Sequence, residues 1–140
     1  MIDYGKFKKS LQHLELQFAN HRRAQERPEL TELDREAVAE SVIQRFETCY
    51  DSLWKVLKRH LVEVHGLPNL PNSPKPLFKW AGQNDLLPSP VSQWLRYADA
   101  RTDTAHDYSG HKAQEALALM GRFIEDAVAL YRSLTGEPWA

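Results

Sequence analysis

The chain has 140 residues, 42% of them hydrophobic and 26% charged, with a formal net charge of −1. That suffices for one domain over residues 1–140 with its own core, and it excludes a protein that coats nucleic acid through overall positive charge, though not a local phosphate site. A single cysteine, Cys49, excludes an internal disulfide or a cysteine-built metal cluster, and the lack of an apolar leader or an 18-residue apolar run predicts a soluble, cytoplasmic chain with no membrane segment.

In chain order the periodicity predicts helix almost throughout. Phe7, Leu11, Leu14 and Phe18 recur at spacings of three and four, so a first helix is expected over about residues 3–22. Asn20 to Glu29 is polar, contains Pro28 and reads as a loop. Thr31 followed by Asp34 is a capping-box start. Val38, Val42, Phe46, Leu53, Leu57, Leu61 and Val64 then mark one face of a long second helix that ends before Gly66. At about 1.5 Å per residue it is roughly 50 Å long, more than a compact domain needs, which suggests that part of its surface serves a partner. His60 and His65 near its end read as solvated caps, and Lys55, Lys58 and Arg59 as a solvated basic face.

Residues 66–76 hold Pro68, Pro71, Pro74 and Pro76 and read as a rigid connector. A short helix is expected over about Leu77–Leu87. Ser89-Pro90 is a good N-cap and first-position pair for a helix carrying Val91, Trp94, Leu95 and Ala98. The last helix is expected from about Ser109 or His111 to Leu134, stopped by Gly136 and Pro138. The fold class is all-α, an antiparallel bundle of four to five helices. No His-x3-His pair or acidic partner at ligand spacing appears, so no metal site is expected. Trp54, Trp80 and Trp94 read as core or interface aromatics.

The octapeptide Arg101-Thr102-Asp103-Thr104-Ala105-His106-Asp107-Tyr108 falls between the last two helices. Arg carries a permanent planar cation that fits a phosphate, and His titrates near neutrality. Residues five apart on a regular helix point about 140° from one another, so Arg101 and His106 are expected to converge only if the helix ends or bends between them. Asp103, Thr104, Asp107, Ser109 and Gly110 favour such a break. From spacing alone, a polar interhelical turn with His106 on a free carbonyl is the stronger reading.

The stretch Ala39-Glu40-Ser41-Val42-Ile43-Gln44-Arg45-Phe46-Glu47, followed by Leu53-Trp54-Lys55-Val56-Leu57-Lys58, resembles the long second helix of the HEPN superfamily. The group it is most similar to is that of the HepT-like toxins and nucleotidyltransferase substrate-binding proteins. The octapeptide matches that group's Arg-x4-His-x-Tyr motif, with Thr102 where many relatives carry Asn or another strongly polar residue and Asp103 as a nearby polar substitute. The resemblance implies a homodimeric bundle and a metal-independent ribonuclease toxin. Arg101 and His106 would be catalytic, supported by Thr102 and Asp103, and Tyr108 would accept AMP. It implies no cofactor in this chain, ATP and Mg²⁺ being used by a cognate nucleotidyltransferase antitoxin, with RNA as substrate. The alternative is a non-catalytic module that docks to a nucleotidyltransferase and presents substrate to it.

Overall fold

The computed structural model describes residues 2–106 and 110–139. Over these the elements are α1 (Gly5–Ala24), α2 (Glu32–Glu63), α3 (Pro74–Gln83), α4 (Val91–His106) and α5 (Gly110–Thr135). Among the described residues there is no strand, and no helix is long and apolar enough to cross a membrane.

Cross-contacts fix the directions. Tyr4, just before α1, bonds His60 near the end of α2, while Arg35 at the start of α2 bonds the carbonyl of Ala24 at the end of α1. The two helices are therefore antiparallel. Phe7 meets Tyr131 edge-on, and Tyr97 bonds Asp126, so α5 runs against both α1 and α4 as well. The core is a chain of aromatic contacts: Phe78 on Trp94, Trp94 on Tyr97, Tyr97 on Phe123 and Phe123 on Phe46.

Thr31 and Asp34 form the expected capping box, each side chain accepting from the other's backbone N–H. Several boundaries move. α1 runs on to Ala24, because Pro28 is the first residue unable to continue it and His21, Arg22 and Arg23 suit the negative helix end. Pro74 and Pro76 lie inside α3, in the first turn, where a missing N–H costs nothing. α4 starts at Val91, one residue after the expected first position. Trp94 is fully buried in the core, and Trp54 packs partly against it.

Two further expectations change. His60 is no solvated cap: it is 9% exposed and pairs with Tyr4 Oη at 2.7 Å. Burial, and then the nearby His65, lower its pKa below 6.5. The apolar face of α2 is not a free surface either. Val42, Phe46, Leu53, Leu57 and Leu61 are all fully buried within this chain, and only the end of the face, at Val64, is exposed.

Candidate functional site

The octapeptide does not break where its composition suggests. α4 remains helical through His106. Of the polar groups expected to favour a turn, Asp103 and Thr104 have other partners, as does the neighbouring Thr102. Thr102 Oγ1 bonds the Ala98 carbonyl one turn back, Thr104 is fully buried with its hydroxyl on Glu47 Oε2 at 2.9 Å, and Asp103 pairs with Lys112 of α5. α5 begins at Gly110, whose φ of +73° is a left-handed conformation that suits glycine. Asp107, Tyr108 and Ser109 lie outside the described residues, so the expected AMP acceptor is among them.

Arg101 and His106 nevertheless border the same groove, of about 550 Å³, between α2, α4 and the start of α3. Ala98, Thr102 and Ala105 form a strip along α4 that is its floor. Arg101 and His106 sit on the two margins of that strip, about 140° apart on an unbroken helix. Trp54, Lys75 and Asp51 complete the wall. Lys75 is ion-paired with Asp99.

The environment of Arg101 was missed by sequence reasoning. Its Nε and Nη2 donate side-on to the two oxygens of Asp51, at 3.2 and 3.1 Å, and its Nη1 donates to Glu47 Oε2 at 3.1 Å. Glu47 is 8% exposed, and Thr104 also donates to it. Two carboxylates one turn apart on α2 thus hold the guanidinium flat against the groove wall. Their spacing of four was visible in the sequence, but not that one of them is buried. His106 is exposed. Tyr50 also lines the groove. Burial, and then the charge of Asp51, raise its pKa well above 10, so the phenol stays protonated.

Chemically, the groove joins a fixed guanidinium, an exposed imidazole and an indole wall. The guanidinium is engaged by the two carboxylates of Asp51 and Glu47, so the groups left open to a ligand are the imidazole and the indole.

Over residues 2–136 the chain matches the family described as nucleotidyltransferase substrate binding protein-like. Among solved structures it is similar to a Thermus thermophilus protein at a TM-score of 0.66 and 23% identity, over 87% of this chain and 98% of that one. At that identity the likeness is one of fold. No curated protein matches the sequence.

Proposed function

The chain belongs to the nucleotidyltransferase substrate binding protein-like family, and from that premise we propose that it is a metal-independent ribonuclease, the toxin of a pair silenced by its nucleotidyltransferase. The observation that supports this reading is that Arg101 and His106 both line one groove.

RNA supplies its own nucleophile. The 2′-hydroxyl loses its proton to a base and its oxygen bonds to the adjacent phosphorus. The bond to the 5′ oxygen breaks as that oxygen takes a proton from an acid, leaving a 2′,3′-cyclic phosphate. His106 is the proton-transfer group, since an imidazole can serve as base or acid. Arg101 faces the charge that builds on the non-bridging oxygens. Its bonds to Asp51 and Glu47 hold the fork in place beforehand. One chain has one motif histidine, so a homodimer that joins two such grooves supplies both acid and base.

Tyr108 is the proposed AMP acceptor, with ATP and Mg²⁺ used by the partner enzyme. A phosphodiester-linked nucleotide two residues from His106 would repel substrate phosphate and fill the groove. The other tyrosines support this choice. Tyr50, Tyr97 and Tyr131 are 2%, 0% and 2% exposed, and Tyr4 is engaged with His60.

A second reading is favoured by the same ion pairs. Two carboxylates on one guanidinium leave the Arg101 wall with excess negative charge, as a structural ion pair would. With Thr102 in the motif, this fits a non-catalytic module that docks to a nucleotidyltransferase. Expression separates the two. The ribonuclease reading expects growth arrest by the native chain and none by His106→Ala at equal protein level. Equal growth of both strains contradicts it.

A further inference from the structure

The groove between α1 and α2 carries a concentration of positive charge that the site above does not use. Lys6, Lys9 and His13 lie at spacings of three and four on one face of α1. Arg45, Lys55 and Arg59 lie on the facing side of α2, in register with Thr48 and Ser52. Together they line two adjoining cavities of about 330 and 370 Å³ that share Lys6, Thr48 and Ser52. The acidic residues in the same lining are Asp3 and Asp51. Five of the chain's 18 Lys and Arg residues line this cleft, against two carboxylates.

These cations are poorly neutralised. Lys6, Lys9 and Lys55 form no ion pair among the described residues. Arg45 is hydrogen-bonded to His13, its Nη1 3.3 Å from Nδ1, and has no carboxylate partner among the described residues. Arg59 has an exposed partner in Glu63. The cleft also leads somewhere. Asp51 borders it on one side and the Arg101–His106 groove on the other, and Trp54 stands just beyond. From Arg45 to Arg59 the cleft runs about 20 Å along α2, the reach of several nucleotides.

We infer that the α1–α2 cleft is a track for the phosphate backbone of single-stranded RNA, which it delivers over Asp51 into the Arg101–His106 groove. The choice of RNA rests on the ribonuclease reading. An acidic protein surface would also suit the charge, but a narrow cleft that opens onto a phosphodiester-cleaving groove fits a strand better than a face.

The test uses the full chain and a fluorescein-labelled twelve-nucleotide RNA with 2′-O-methyl groups, which cannot be cleaved. Anisotropy should show binding that weakens with salt. The triple variant Lys9→Ala, Arg45→Ala, Lys55→Ala should lose roughly tenfold or more in affinity and about 2 from the log–log salt slope. All three residues are exposed and helical, and Ala favours helix, so the far-ultraviolet circular dichroism should be unchanged. The variant Lys8→Ala, Lys79→Ala, Arg132→Ala removes equal charge elsewhere and should bind as the native chain does. The inference is overturned by equal losses in the two variants, by no binding to the native chain, or by polyglutamate displacing the RNA as well as unlabelled RNA does. Cleft-dependent binding without cleavage of unmodified RNA sinks only the ribonuclease reading. Cleavage with unchanged KM in the first triple variant sinks only the track.

Discussion

Arg101 ties the site to the stability of the fold. Removing it leaves Glu47, at 8% exposure, with a buried charge and one cation fewer. Breaking a fully buried pair costs about 3–5 kcal/mol. The Arg101 side chain is 28% exposed and Asp51 41%, so solvent screening reduces this to about 1–3 kcal/mol. Arg101→Ala should therefore lower the thermal midpoint by several degrees as well as activity. Arg101→Lys should lose less stability, because it keeps the charge but not the fork. His106 is exposed, so His106→Ala should leave the midpoint unchanged, and thermal denaturation of the three variants checks the contrast. The motif itself was legible in eight consecutive residues. Its carboxylate partners were not, because Glu47 is 54 residues from Arg101 and nothing near it in the chain marks it as buried.

Among the elements, those with strong apolar periodicity and side-chain caps were legible to within a residue or two. Thr31 is the clearest case, and Thr31→Ala should cost about 1 kcal/mol by leaving the Asp34 N–H without its partner. Chemical denaturation would show it as a lower midpoint with unchanged slope. α3 and α4 were less legible because their polar and proline residues answer to tertiary partners. Thr104 reads locally as a turn former, yet here it bonds a carboxylate from another helix. The α1–α2 junction also gives a pH dependence. Burial and His65 lower the His60 pKa from 6.5, and burial lowers that of His21 as well. The unfolded chain then binds protons that the folded chain refuses, so stability is full above about pH 6.5 and declines as pH falls through the lowered values. Thermal midpoints measured from about pH 7 to pH 5 should fall, and fall less in His60→Gln, which keeps an acceptor for Tyr4.

For the whole molecule, the bundle is complete within one chain, and α2 spends its apolar face on that bundle's core. The proposed homodimer, which would bring two histidines to one cleft, therefore needs a surface other than the buried part of the α2 apolar face. Light scattering should give about twice the 16.2 kDa chain mass. In the proposed reaction the Arg101–His106 groove cuts RNA through the RNA's own 2′-hydroxyl. The most direct measurement is the product formed when the purified, unmodified chain meets RNA in EDTA. The expected product ends in a 2′,3′-cyclic phosphate or its hydrolysis product. DNA should stay intact, and Arg101→Ala and His106→Ala should each be slower by roughly 10²-fold or more. Cleavage that requires a divalent metal, that cuts DNA equally, or that persists in His106→Ala would contradict it.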